Sequence, residues 1–438
     1  MTIPPRTNTI YRRLAPFQRL PPELLILIFE DLLSYTKSSL SLLWLTLVCR
    51  SFYNSLTAES SLWCNLLIDI PTLEAHAGDA GLAKLARKVT RVLEYSQDKR
   101  LSLTFNLLCP GSDMDNSLAS LLERISNRLW KVEPHCRNGR DDYDALSELV
   151  YRCRDLTFEF SLWNDMGNVT SLFERYIKHN QDFTFPTLES FRTVYNPANT
   201  IEAFAPPHAL PLWRTGGMSP LIMVDDSESA TPLKSPFPSL KNLTIDNITH
   251  EWSLLALSGL YTFRLRNIPS DNSPSYTEIR RLLLSSVQTL TTLELTNIST
   301  SDSETVGGRF ALPNVKSLTI GFAHPRDLVW ASQTLDLPAL EELVVEDHTG
   351  GSDSEQMITG YQELMRCIPL DRVRRLVLRC VVLSQTVEDI FPLHELDRTF
   401  FLTRFRNVKE LEVSCPKFLI SELSSLFSRL DVYYVERL

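Results

Sequence analysis

One short pattern recurs along this chain and limits what it can become: L-x-x-L-x-[ILV]. It is met at Leu240, Leu243 and Ile245; Leu260, Phe263 and Leu265; Leu290, Leu293 and Leu295; and Val315, Leu318 and Ile320. It returns at Leu340, Leu343 and Val345; Val373, Leu376 and Leu378; Val408, Leu411 and Val413; and Leu430, Tyr433 and Val435. The copies start 20 to 35 residues apart, and fainter ones stand at Cys153, Leu156 and Phe158 and at Leu188 and Phe191. Self-similarity at such a period means one supersecondary unit per copy, none of which buries its apolar face alone. The last two apolar positions alternate as one face of a short strand, and the first sits just before it and turns inward. Return helices are expected over Thr277 to Val287, Glu355 to Ile368 and Phe418 to Leu430, the second with Met357, Ile358, Tyr361, Leu364 and Met365 on one side.

The pattern resembles a leucine-rich repeat. The resemblance implies stacked units with parallel strands on one edge and helices on the other. It departs from that family three residues after the strand's last apolar position, where an inward Asn or Cys is usual. Ile248, Ile268, Ile298, Ala323 and Val381 stand there instead, an apolar column. Asn247, Asn267 and Asn297 lie one place early, so an asparagine ladder is not expected.

Ahead of the repeats, Leu20 to Trp63 forms an apolar module. Pro21, Pro22 and Glu23 open a helix, because a proline in the first turn lacks only an N–H that has no helical partner. Leu24, Leu25, Ile26, Ile28, Phe29, Leu32 and Leu33 sweep about 200° of that helix, twice the stripe that one packing face requires. One side packs on its own bundle and the other is offered to a partner. The helix is expected to end near Ser34, with Ser38 or Ser39 capping a second helix through Leu42, Leu43, Leu45, Leu47 and Val48. A third starts at Arg50 or Ser51 and carries Phe52, Tyr53 and Leu56. Ser60 then caps a turn that places Leu62, Trp63, Leu66 and Leu67 inside.

In order and spacing, LPPELLILIFEDLL, LVCRSF and SLW resemble an F-box, through Leu20, Pro21, Glu23, Leu24, Ile28, Leu47, Val48, Cys49, Arg50, Leu62 and Trp63. Phe52 and Tyr53 replace a tryptophan common in that family, and the Ser34–Ser41 loop lacks its aspartate-rich turn. The resemblance, to F-box substrate receptors of the fungal type with degenerate repeats, implies docking on a Skp-type adaptor and through it on a cullin. The contact set it implies is Leu20, Pro21, Leu24, Ile28, Val48, Cys49, Leu62 and Trp63. The repeats would then bind a substrate protein for ubiquitin transfer. The competing reading is a repeat scaffold outside any ligase, whose N-terminal helices only cap the array.

Between the two, a helix from Asp79 to about Tyr95, a strand at 101–105 and a helix through Leu118, Leu121, Leu122, Ile125 and Leu129 begin an alternation typical of α/β layers. The expected architecture is α/β: a tail at 1–16, the helical module at 17–69, a bridge at 70–150, and an irregular leucine-rich-repeat-like solenoid at 151–438. A Pro-rich insertion interrupts the solenoid at 206–238, and polar insertions follow at 299–308 and 349–355. Trp213, inside the first insertion, is the tryptophan to examine as an exposed anchor.

A net charge of −9 argues against nucleic acid as the main partner. No run approaches the length a bilayer needs, and no secretory signal opens the chain, so a cytoplasmic or nuclear location is expected. The eight cysteines show no CxxC spacing, which leaves reduced thiols and no zinc site. The sequons at Asn168, Asn242, Asn247 and Asn297 then carry no glycan, and Ser219, Thr231, Ser235 and Ser273 precede prolines in a common dipeptide. No phosphate-binding loop or nucleophile elbow occurs. His394-Glu395 fails as a metal motif because Arg398 stands where the second histidine belongs, Asp141-Asp142 and Asp225-Asp226 are acidic pairs solvated in polar loops, and His135 and Cys136 are adjacent residues that rarely reach each other. The expectation is a protein without catalytic residues, metal or cofactor.

Overall fold

The computed structural model describes residues 20–69, 79–107, 145–160, 185–195, 237–246, 257–268, 273–298, 308–322, 325–348, 363–379, 407–413 and 431–434. The chain is α/β. Four short helical segments come first: α1 (Pro22–Thr36), a 3-10 turn (Ser39–Ser41) leading into α2 (Leu42–Leu45), α3 (Arg50–Ala58), and a second 3-10 turn (Ser60–Trp63). Then come β1 (Asn65–Asp69), α4 (Asp79–Ser96), β2 (Leu101–Leu107), α5 (Ala145–Arg152), β3 (Cys153–Phe160), β4 (Ser190–Tyr195) and β5 (Asn242–Asp246). The chain continues through β6 (Thr262–Ile268), α6 (Tyr276–Leu284), β7 (Thr292–Ile298), β8 (Phe310–Ala311), β9 (Ser317–Phe322), α7 (Pro325–Thr334) and β10 (Leu335–Asp336). It ends with β11 (Glu342–Asp347), β12 (Arg375–Arg379), β13 (Glu410–Val413) and β14 (Asp431–Tyr434).

Twelve strands form one open sheet in chain order, β1-β2-β3-β4-β5-β6-β7-β9-β11-β12-β13-β14. Each neighbouring pair is parallel, so every step between strands is a crossover. All eight clear repeats and both faint ones coincide with a strand. The register aligns Leu243, Phe263, Leu293, Leu318, Leu343, Leu376 and Leu411 in one row, all buried. Ile245, Leu265, Leu295, Ile320, Val345 and Leu378 make the next row on the same face. This is the period-2 alternation of the repeat, and it gives the sheet one apolar side.

In five units the first leucine or valine ends a tight turn. Leu188, Leu240, Val315, Leu340 and Val373 donate their N–H to the carbonyls of Phe185, Phe237, Leu312, Leu337 and Leu370. In four of these turns proline holds the second position, where its fixed φ is already that of the turn. The turns also tie to one another, as Ser239 Oγ donates to the Pro186 carbonyl at 2.6 Å and Thr187 Oγ1 to the Cys153 carbonyl at 3.0 Å. Phe185, Phe237 and Leu312 are buried, so the true unit starts three residues before the recognised pattern.

Several expectations need correction. The second helix stops at Leu45, because residues 46–48 form a turn, and Leu47 and Val48 point to solvent. Leu66 and Leu67 lie on β1, not on a helical turn, and the 3-10 turn before them is capped by Glu59, whose carboxylate accepts from Ser61 N–H at 3.2 Å. That carboxylate is held below its ordinary range, mainly by the Ser61 hydroxyl. The asparagine ladder exists after all: Asn297 Nδ2 donates to Asn267 Oδ1 at 3.2 Å, and Asn267 Nδ2 to Asp246 Oδ1 at 2.9 Å. Both asparagines are left-handed, with φ of +51° and +50°. That twist turns their amides along the sheet and lets Ile268 and Ile298 go inward, buried as expected. Helix α7 and the small parallel pair β8–β10 had no sequence signal.

The return helix over Thr277 to Val287 is α6, started by a full capping box between Ser275 and Glu278. Residues 363–367 of the Glu355–Ile368 helix are helical, with Leu364 and Met365 buried. The helices expected through Leu118–Leu129 and Phe418–Leu430, residues 206–236 with Trp213, and Ile248, Ala323 and Val381 lie outside the described residues.

Candidate functional site

Helix α1 is built to show two faces. The Pro21 carbonyl accepts from the N–H of Leu24 and Leu25 at 3.1 and 3.2 Å, starting the helix without a side-chain cap, and Glu23 sits favourably at its positive end. Left-handed Lys37 ends it, its N–H donating to the Leu33 carbonyl at 2.8 Å. Leu25 and Phe29 are fully buried, and Phe29 meets Phe52 edge to face at 5.3 Å. On the opposite stripe Leu24, Leu27 and Ile28 are 46%, 58% and 47% exposed, and Tyr35 continues the line in solvent. The wide apolar arc thus divides into a core stripe and an outward stripe.

A second group of exposed apolar side chains follows α2: Trp44, Leu47 and Val48. Leu47 N–H donates to the Trp44 carbonyl and Val48 N–H to the Leu45 carbonyl, a turn that holds both side chains outward. Leu20 and Cys49 are half-buried and Pro21 is exposed.

Leu62 and Trp63 do not join this surface. Both are buried, and Trp63 Nε1 donates to the Leu56 carbonyl at 2.7 Å while its ring lies 4.7 Å from Tyr95 of α4. They form the core beneath the surface and cannot touch a partner, so the implied contact set shrinks to Leu20, Pro21, Leu24, Ile28, Val48 and Cys49. Leu27, Trp44 and Leu47 are the residues sequence reasoning missed. Leu27 was legible, being three residues after Leu24, but it fell outside the arc chosen for the helix.

Buried serines join the module to the sheet. Ser39 Oγ donates to the Leu62 carbonyl at 2.8 Å and accepts from Asn65 N–H at 3.2 Å, and Ser38 Oγ accepts from Leu67 N–H at 3.3 Å.

The other side of the sheet is polar and self-neutralising. Arg266 grips Glu294 through two bonds, Arg375 bridges Glu342 and Glu412, and Arg379 reaches Glu346 at 2.9 Å. His348 beside Glu346, and then Arg379, hold that carboxyl below its usual range despite its burial. Gly321 lies among them where a Cβ would come 2.4 Å from Thr296 Cγ2 and 2.9 Å from His348 Nε2. Between α6 and α7, stacked Tyr276 and Trp330 roof an apolar crevice over Leu295, Ile298 and Ile320. Its free interior of about 20 Å³ is no larger than a single water needs.

Cys153 is wholly buried, and burial pushes its thiol up. Among the described residues no group of three His, Cys, Asp or Glu side chains is placed to hold a metal, and no helix is long and apolar enough to cross a membrane. No protein-family model and no curated protein matches the chain.

Proposed function

We propose that this chain is a non-enzymatic substrate receptor of an SCF-type ubiquitin ligase. Its N-terminal helices act as an F-box that docks a Skp-type adaptor and through it a cullin. Its sequential parallel strands act as a leucine-rich-repeat-like solenoid that holds a substrate protein. Catalysis is then proximity: the receptor raises the effective concentration of substrate at a ubiquitin-loaded enzyme carried by other subunits.

The observation that carries the reading is the outward stripe of Leu24, Leu27 and Ile28, about half exposed on a helix whose other face is filled. Covering the exposed halves of these three with Leu47 and Val48 yields about 4–7 kcal/mol gross, taking half of the usual value for a full side chain. Association costs about 4–15 kcal/mol, so the partner must also find Trp44 or polar contacts. The test is titration of purified Skp-type adaptor into the full chain and into Leu24→Ser/Ile28→Ser. The proposal predicts a complex with the first and at least a hundredfold weaker binding by the second, with unchanged melting.

One observation favours the second reading, a scaffold with a helical cap: the module is hydrogen-bonded to the edge strand β1 through Ser38 and Ser39. Edge strands need cover. Under that reading the adaptor binds neither protein.

A further inference from the structure

Helix α4 carries Lys84, Arg87, Lys88 and Arg91 at i, i+3, i+4 and i+7, which sets four cations within about 100° of one face. Its opposite face, Leu85, Ala86, Val89, Val92 and Leu93, is buried. Lys84, Arg87 and Arg91 are exposed and Lys88 is half-buried. Lys84 Nζ and Lys88 Nζ stand 5.4 and 5.3 Å from the Trp44 ring centroid, two cations sharing one indole. Burial, and then the Lys84 charge, push the Lys88 ammonium below its ordinary range. Among the described residues no carboxylate forms an ion pair with Lys84, Lys88 or Arg91. Such a stripe stands out in a chain of net charge −9.

We propose that this stripe, with Trp44 beneath two of its lysines, is a docking surface for an acidic segment of a partner protein. Carboxylates placed there would relieve the repulsion between the lysines, and the Trp44 side chain, 58% exposed, calls for apolar side chains in the same segment. Two ammonium groups already stand over the Trp44 ring, in competition with the base stacking that single-stranded nucleic acid uses. A lipid surface is disfavoured because a helix lying on a membrane inserts its apolar face, and that face of α4 is in the core. The basic stripe lies on α4 and shares none of its four cations with the α1 stripe, so the lysine variants and the Leu24/Ile28 variant read the two proposals separately.

The test uses the full chain and four probes: a labelled peptide of about 20 residues made of Glu and Leu, its Gln/Leu counterpart, an oligothymidylate of similar length, and phosphatidylserine/phosphatidylcholine vesicles. Proteins compared are the wild type, Lys84→Glu/Lys88→Glu and the milder Lys84→Gln/Lys88→Gln. The Glu/Leu peptide is expected to bind the wild type, at least tenfold more weakly to the charge reversal and by an intermediate factor to the glutamine variant, which melts like the wild type. Added salt weakens the binding and the Gln/Leu peptide does not bind. Three results overturn the proposal: no binding of the Glu/Leu peptide by the wild type, equal binding by all three proteins, or charge-dependent binding of the oligonucleotide or vesicles in place of the peptide. Leu24→Ser/Ile28→Ser retains peptide binding, so loss of adaptor binding in that variant is read independently.

Discussion

Trp63→Ala separates a core residue from a contact residue. The indole is wholly buried, spans from the Leu56 carbonyl to Tyr95, and so ties α3 and the 3-10 turn to α4. Truncating a buried Trp costs about 3–5 kcal/mol. The Leu56 carbonyl also loses its donor, at about 1 kcal/mol if water does not reach it, for a combined cost of about 4–6 kcal/mol. Local opening is measured by amide hydrogen exchange of peptides covering residues 39–66 and 84–96, which reads the module separately from the sheet. At 1.36 kcal/mol per decade, protection there falls about a thousandfold or more, while β6 to β9 keep theirs. Trp63→Phe retains most of the packing but not the N–H and loses about one to two decades. If Trp63→Ala changes protection in these peptides by less than tenfold, the burial argument is wrong and the residue belongs to the surface.

Four further outcomes follow from the same structure. Asn267→Ala loses the bond to Asp246 and strains a left-handed φ, and a drop of about 1–3 kcal/mol in denaturant unfolding is expected; Asn267→Gly relieves the strain and recovers part of it. Gly321→Val drives methyl groups into Thr296 and His348 and lowers stability by about 1–3 kcal/mol, visible as a lower denaturant midpoint. The Glu346 carboxyl is lowered in the folded state, so its stabilisation is complete above the unfolded value near 4.5 and lost as pH falls through the folded value. Glu346→Gln is therefore less stable than wild type at pH 7 and equal to it in strong acid, as read from denaturant midpoints across pH. Cys153 resists iodoacetamide in the native protein and reacts after unfolding, which mass spectrometry of the labelled peptide checks.

The strands of the repeats were legible because a period of two with β-branched and leucine residues is a local signal, and every L-x-x-L-x-[ILV] copy falls on one. The turn before four of these strands was equally local, an apolar residue followed by proline, but it is only recognisable once Phe185, Phe237 and Leu312 are seen to be buried. The asparagine ladder escaped because it depends on left-handed backbone at Asn267 and Asn297, which shifts the polar column by one residue. On α1 the apolar arc was correctly read as too wide for one face. Amino-acid type alone could not say which half was outward, since Leu24 and Leu25 are chemically identical and one is half exposed while the other is buried. Trp63 was misplaced for the same reason: tryptophan suits an interface and a core alike. The basic stripe of α4 was present as a spacing, but its significance needs Trp44 brought beneath two of its lysines by the fold.

Hydrogen exchange of the full chain with and without saturating purified adaptor shows whether the outward face of α1 docks a Skp-type adaptor. The account predicts slowed exchange in α1 and in the turn at residues 46–49, unchanged exchange in β5 to β12, and no effect in Leu24→Ser/Ile28→Ser. Unaltered exchange throughout α1 at saturating adaptor, or protection confined to the sheet, contradicts it.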